Sequence, residues 1–266
     1  MQRIKLVISY DGTDFCGWQK QLDHKHGPDK PSIQGTLQAA LEHIFKHPIV
    51  LCASGRTDAG VHAVAQVCHF ETDRPMPRDL CWALKAKLPQ SIVAKKIWSA
   101  PPEFHATLSA EKKIYKYWVW NHSRGTALLN RYSWWIRFPL ELDALNIMAA
   151  EFLGEHDFAS FRSMGTEVKH TIRSIYRSQW IRKKSGILEY QVCGNGFMKQ
   201  MVRNLVGSQI DLAMRRELSP EQKRLEIRRM LEARDRTKSG RAAPPEGLFL
   251  SQVFYPPSLD KKCLPI

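Results

Sequence analysis

Long apolar runs are missing from this chain. No stretch approaches the roughly 18 residues that a membrane-spanning helix needs, and mean hydropathy is −0.38. The opening MQRIKLVISYDG is too brief and too polar for a secretory leader, so the expectation is a soluble cytoplasmic protein. Cysteines are few and badly spaced for metal or disulfide-exchange chemistry. The six stand at 16, 52, 68, 81, 193 and 263, with no C-x-x-C pair. Cys52 and Cys68 fall in apolar, strand-like runs, where a free thiol behaves as a small buried hydrophobe. That usage fits a reducing compartment. The ten histidines are scattered, with no HExxH and no His/Cys cluster in the sequence, so no metal is expected. Neither GxxxxGK[ST] nor GxGxxG occurs, which leaves a P-loop or dinucleotide fold, and a nucleotide cofactor, without a motif.

Acid is also in short supply. Forty Lys+Arg face 26 Asp+Glu, a net charge of +14 with a pI near 9.6. Such an excess suggests a polyanionic partner, most often nucleic acid. Through Ala110 there are 13 basic and 10 acidic residues; beyond it there are 27 and 16, so the second half carries most of the excess.

The remaining composition is ordinary for a globular protein, with 43% hydrophobic, 10% aromatic and 25% charged residues. At about 150 residues per domain, 266 residues suggest two domains. Residues 3–10 alternate and are rich in β-branched side chains, a strand that ends in the turn signal Asp11-Gly12. Residues 21–31 are polar with two prolines, an exposed loop. Ser32 can cap a helix over 33–44. Strands are expected at 49–53, 64–71 and 91–98, with a helix over 79–88. The first half thus reads β-α-β-β-α-β. The second half repeats that order more loosely: a strand at 112–121, a helix at 142–153, strands at 170–182 and 187–192, a long helix at 197–215, another from Pro220, and a last strand at 247–255. The expected class is α+β, two ferredoxin- or RRM-like halves with mainly antiparallel strands and a cleft between them. The division is placed at 1–108 and 109–266, the second part being the more basic and the RNA-binding one.

The most informative stretch is 53–63, ASGRTDAGVHA, between two strands. Gly55 and Gly60 at its shoulders allow close approach of the backbone to a ligand. Asp58 stands near a cation (Arg56), a hydroxyl (Thr57) and an imidazole (His62). A carboxylate in that setting serves as nucleophile or general base; it serves equally to bond its own turn.

Gly55 to His62, GRTDAGVH, resembles the signature of the tRNA pseudouridine synthase A (TruA) family, and seven further segments follow in order. Tyr10-Asp11-Gly12 with Gly17-Trp18-Gln19 is similar to its YDG…GWQ opening, and Ser32-Ile33-Gln34 to its S-[IV]-Q helix start. Phe104-His105-Ala106 resembles its FHAR segment, with Thr107 where Arg is common; Tyr115-Lys116-Tyr117 resembles Y-[RK]-Y. Gly154 to Arg162 is similar to G-x-H-D-F…F-R, Met201 to Gly207 to MVRN-[IL]-VG, and Asp235-Arg236 with Pro244 to Leu250 to the DR…APPEGL-[YF]-L ending. The likeness spans about residues 4–255.

The resemblance implies the pseudouridine synthase fold and an isomerase that converts uridine to pseudouridine at positions 38, 39 and 40 of the tRNA anticodon arm. It implies no cofactor, and a homodimer whose two subunits contact one tRNA. Asp58 matches the family's obligatory aspartate. Arg203 matches its active-site arginine, expected to pair with Asp58 across the cleft and oppose its protonation. Tyr115 matches the tyrosine that contacts the target base, and Arg56 joins the substrate-binding set. From the residues alone, Tyr115 reads also as a core tyrosine and Arg203 as part of a phosphate-binding stripe with Lys199, four residues before it. Phe197 and Met198 read as walls of the uracil pocket or as packing. Two departures stand out: Lys199-Gln200 where many members carry histidine, and the long 21–31 loop with His24, Lys25, His26 and Lys30. The competing readings are a non-catalytic pair of RRM-like domains, which lacks an RNP-type stretch, and a glycoside-type hydrolase, which lacks a second acid near Asp58.

Overall fold

The computed structural model describes residues 1–20, 30–165 and 170–266; His24, Lys25 and His26 lie outside them. In chain order the elements are β1 (Gln2–Tyr10), α1 (Ile33–Phe45), β2 (Cys52–Ala53), β3 (His62–Thr72), α2 (Leu80–Lys85) and β4 (Ile92–Ala100). Then follow β5 (Lys112–Asn121), β6 (Trp134–Ile136), α3 (Leu142–Ala150), β7 (Gly154–Asp157), β8 (Ile172–Arg182), β9 (Ile187–Gly194), α4 (Met201–Ala213) and α5 (Pro220–Ala233). The chain ends in β10 (Leu248–Phe254), α6 (Pro257–Asp260) and β11 (Leu264–Pro265). The fold is mixed α+β and mostly antiparallel: β1 pairs antiparallel with β3 and β4, β11 with β4, β2 with β3, β9 with β5 and β8, and β7 with β8, while the short β6 runs parallel to β5.

Two compact units emerge. One comprises Met1–Lys112 with Leu250–Ile266, the other Lys113–Phe249. In the first, strands run in the order β11-β4-β1-β3-β10, with β2 on β3. Alternation along β1 puts Ile4, Leu6 and Ile8 into the core with no exposure. On α1, Ile33, Leu37 and Leu41 are likewise fully buried. Ser32 caps α1 as its sequence suggests, its side chain accepting the Gly35 N–H.

The sequence reading gave everything beyond residue 108 to the second part. The chain instead carries its last 17 residues back to the first unit. Lys5 is the anchor. Its Nζ lies 2.6 Å from Asp260 Oδ1 and about 5 Å above the rings of Trp98, Phe104 and Tyr255, which stabilise a desolvated ammonium by cation–π attraction. The Tyr255 hydroxyl donates to the Ala106 carbonyl at 2.7 Å, and β11 pairs with β4 at Leu264↔Ser99. No periodicity encodes this return, because it rests on side chains hundreds of positions apart.

In the second unit the order is β5-β9-β8-β7, and β6 pairs with the end of β5 at Val119–Asn121. Tyr117, Tyr190 and Trp180 line up across β5, β9 and β8 and are buried under α4, where Gln209 accepts the Trp180 indole N–H at 2.9 Å. In a second aromatic group where α3 gives way to β7, Phe161 packs edge-on to Phe152 and Phe158, which are tilted to each other. α5 begins with a full capping box, Ser219 with Gln222, and Pro at its first position.

Candidate active site

Asp58 lies in the loop that joins β2 to β3, half-buried, with Arg56 exposed beside it. The loop is moulded by the segment that follows β1. The Trp18 N–H donates to the Thr57 carbonyl at 3.0 Å. Gly17, at φ +104, lies against the same peptides: a Cβ there would stand 2.8 Å from the Thr57 oxygen and 3.1 Å from the Asp58 carbonyl carbon. Gly12 meets the Val61 carbonyl so closely that any Cβ would overlap it. The Tyr10 and Thr57 hydroxyls share a buried hydrogen bond of 2.8 Å, and burial pushes the Tyr10 phenol up, out of reach of ordinary titration. His62 Nδ1 accepts the Gly12 N–H at 3.1 Å. Thr57 and His62, read from the sequence as neighbours of the carboxylate, are thus also struts of the loop.

The loop closes on itself through Val61 N–H to the Asp58 carbonyl at 3.1 Å, next to Gly60 at φ +78. Its other shoulder is held by Gln66, which bonds the Ser54 hydroxyl at 2.6 Å and the Gly55 carbonyl at 2.8 Å. The start of α1 joins the same frame, with Ile33 and Gln34 donating to the Gly17 and Trp18 carbonyls. Three of the segments singled out in the sequence therefore serve one purpose: they hold the backbone on either side of Asp58.

Among the described residues, Cys52, His69 and His105 each bring one metal-ligating type of atom within 4.8 Å of the others, a grouping the sequence spacing hides. Their hydrogen bonds point away from metal binding. His69 Nδ1 accepts the Ala106 N–H, and His105 Nδ1 accepts those of Thr107 and Leu108, all at 3.2 Å. A neutral imidazole that accepts at Nδ1 carries its proton on Nε2, whereas a coordinating nitrogen carries none. The two histidines order the 104–108 turn, whose Thr107 hydroxyl donates to the Ala53 carbonyl at the end of β2 at 2.5 Å. Burial, aided by the neighbouring His105 and Arg3, lowers the His69 pKa to about 4.

The other two expected substrate-binding residues belong to the second unit. Tyr115 is buried on β5, with the Phe197 ring edge-on at 5.1 Å. Met198 is buried and Phe197 half-buried. Arg203 lies in the first turn of α4, half-buried, its Nε donating to the Ala243 carbonyl at 2.7 Å. α4 begins at Met201 because Gln200 adopts a left-handed conformation, φ +60. Lys199 therefore precedes the helix and is exposed, and the shared helical face expected for Lys199 and Arg203 does not form. Sequence reasoning passed over Lys113, two residues before Tyr115 and on the same side of β5 by strand alternation. Burial lowers its ammonium to about 8. The signal was present as a lysine at an inward position of an alternating strand.

Residues 6–107 and 148–256 match the family model described as tRNA pseudouridine synthase. The tRNA pseudouridine synthase A of Bdellovibrio bacteriovorus is 46% identical over 266 residues, covering 98% of each chain. That of Maridesulfovibrio salexigens is 40% identical over 260 residues, 96% of this chain and 91% of the other. That of Pseudothermotoga lettingae is 36% identical over 259 residues, 96% of this chain and all of the other. Among solved structures, a Cbf5–Nop10–Gar1 complex matches at a TM-score of 0.34 and 15% identity, covering 78% of this chain and 53% of that one, too slight a likeness to bear on the fold. The family model and the full-length relatives agree: this chain belongs to the tRNA pseudouridine synthase family, a family of isomerases.

Proposed function

We propose that this enzyme isomerises uridine to pseudouridine at positions 38, 39 and 40 of the tRNA anticodon arm, with Asp58 as its catalytic carboxylate. The observation that carries this reading is the framing of Asp58. Tyr10, Gly12, Gly17 and Trp18 all spend contacts on one short loop, a degree of preorganisation that a turn-bonding aspartate does not require. The reaction breaks the N1–C1′ bond, turns the uracil, joins its C5 to C1′ and releases the C5 proton. It is balanced without redox change. Asp58 attacks either the ribose C1′ or the uracil C6, and both routes need an ionised carboxylate held in place.

Tyr115 and Arg203 bind the substrate, together with Arg56. A uracil drawn out of its stack needs a new aromatic face, and such stacking contributes about 1–3 kcal/mol per base. The Tyr115–Phe197 pair supports that role with a rigid, largely desolvated ring. The exposed guanidinium of Arg56, two residues from Asp58, suits a phosphate or the space a flipped base vacates. We further propose that the enzyme works in the cytoplasm as a homodimer on one tRNA and that its second unit provides most of the RNA-binding surface. The family resemblance and the charge distribution support these readings. Light scattering on the free enzyme measures the dimer, and a monomeric mass would refute it.

The test is tritium release from tRNA carrying C5-labelled uridine. The wild-type enzyme releases label without cutting the strand, whereas an RNA-binding module releases none. Asp58→Asn abolishes release and leaves tRNA affinity within a few fold. Continued release by that variant would remove Asp58 from the chemistry.

A further inference from the structure

The segment between α5 and β10, which contains nearly all of the DR…APPEGL stretch, lies along α4 in the same unit. Several of its peptides have fixed partners. The Gly240 N–H donates to the Ser208 hydroxyl at 2.9 Å, and the Arg241 N–H to Asp211 Oδ2 at 3.1 Å. Arg241 Nε stands 2.9 Å from Asp211 Oδ1. Ala243 and Arg203 are tied twice: the Ala243 N–H donates to the Arg203 carbonyl at 3.0 Å, and Arg203 Nε donates back to the Ala243 carbonyl at 2.7 Å. The next carbonyl, Pro244, accepts the Tyr117 hydroxyl at 2.8 Å, two residues along β5 from Tyr115. Ala243 itself is fully buried.

The Nε bond decides where Arg203 points. A guanidinium is planar, so fixing Nε–H on one acceptor sets the direction in which both Nη groups donate. The Ala243 carbonyl is thus the rest on which Arg203 is aimed, and its position depends on what holds residues 239–243. Ser208 and Asp211 hold Gly240 and Arg241, and at Ser239 and Gly240 one further side chain links the strap back to α4. Arg236 Nη1 donates to the Ser239 hydroxyl at 2.8 Å and to the Gly240 carbonyl at 3.0 Å, while Nη2 reaches Asn204 Oδ1 at 3.1 Å. Asn204 follows Arg203 in α4, and its amide is fixed in turn on the Phe161 carbonyl at 2.7 Å. Arg236 therefore clamps the strap at one end and the turn of helix bearing Arg203 at the other.

We propose that Arg236 is a positioning residue for the reaction, which orients Arg203 through the 239–243 strap and does not itself touch the tRNA. The proposal rests on the reading of Arg203 as a substrate-binding residue. It accounts for two segments, MVRNLVG and DR…APPEGL, as the two sides of one device.

The experiment uses the full-length enzyme and C5-tritiated tRNA, with single-turnover rates at saturating enzyme and KM measured separately. Arg236→Ala is expected to lower the rate about 10- to 100-fold, the scale of a misplaced group, with KM for tRNA within about twofold. Arg236→Lys, which keeps the charge without the fork, falls between. The discriminating measurement is made in an Arg203→Lys background, which lacks the Nε donor. There Arg236→Ala should add less than about a threefold loss, because the two changes break the same linkage. Should Arg236→Ala fail to fold, Ser239→Ala and Arg236→Lys carry the same comparison. A wild-type rate in the single variants, or losses that multiply in the double variant, would overturn the positioning role while leaving Arg203 in place. If Arg203→Lys and Arg203→Ala both turn over normally, the reading of Arg203 itself fails, and the proposal with it.

Discussion

Single residues hold the Asp58 loop in ways that can be weighed separately. Gly17 combines a backbone angle that L-residues rarely adopt with a position where a Cβ would crowd the Thr57–Asp58 peptides. Gly17→Ala must strain its own backbone and displace the Asp58 loop. A stability loss of about 1–3 kcal/mol is expected, read from urea denaturation, and turnover should fall further than stability alone explains. Unchanged turnover would mean that the loop tolerates a shift at Asp58. His69 gives a pH signature. Its pKa is about 4 in the fold against a reference of 6.5, so between those values the native state binds fewer protons than the unfolded one. Stability therefore falls as pH drops through that window and this contribution levels off below it. His69→Asn keeps an acceptor for the Ala106 N–H and cannot titrate. Its melting temperature should lose less than that of the wild type between pH 7 and pH 4.5; equal losses would place the acid sensitivity elsewhere.

At the level of elements, the usual rule for glycine in a helix is inverted in α4. Gly→Ala inside a helix ordinarily stabilises by about 1 kcal/mol. A Cβ on Gly207 would overlap the Arg241 carbonyl, so Gly207→Ala should destabilise, and a raised melting temperature would show that the strap can move aside. This contact also marks the limit of what local pattern reveals. The strands β1 and β5 and the helices α1 and α5 were legible because alternation, a serine cap or a Ser-Pro start encodes them locally. The start of α4 was read four residues early because nothing local distinguishes a left-handed Gln200 from a helical one. The short strands β6 and β7 were not read as strands, since three or four residues carry too little periodicity. Of the candidate site residues, the motifs offered Asp58, Arg56, Tyr115 and Arg203. The struts Tyr10 and Gly17, the Cys52–His69–His105 grouping and the Arg236–Asn204 bond are pairings over tens of positions. Such pairings exist only once the chain has folded.

For the whole molecule the 40 Lys and Arg side chains overstate the cations available to RNA. Several of the arginines on α5 are already neutralised: Arg224 by Glu221 and Glu151, Arg228 by Glu151, and Arg229 by Glu226. Lys183 and Lys116 share the buried Glu189, whose carboxyl lies below its ordinary range despite burial because Gln191, Lys183 and Trp118 bond it. Charges that face a carboxylate at 3 Å gain little from a phosphate. Those outside such pairs, such as the exposed Lys199 and Arg56, are the ones expected to exchange their counterions for tRNA phosphates. Binding should weaken linearly in log Kd against log salt, with a slope of about 0.7–0.9 per phosphate engaged. Lys199→Gln should reduce that slope by about one, the signature of a lost phosphate contact. Arg229→Gln removes the same formal charge from an ion pair and should leave the slope unchanged. Equal effects from the two substitutions would mean that tRNA responds to the total charge rather than to its placement, and the assignment of contacts to individual side chains would have to be abandoned.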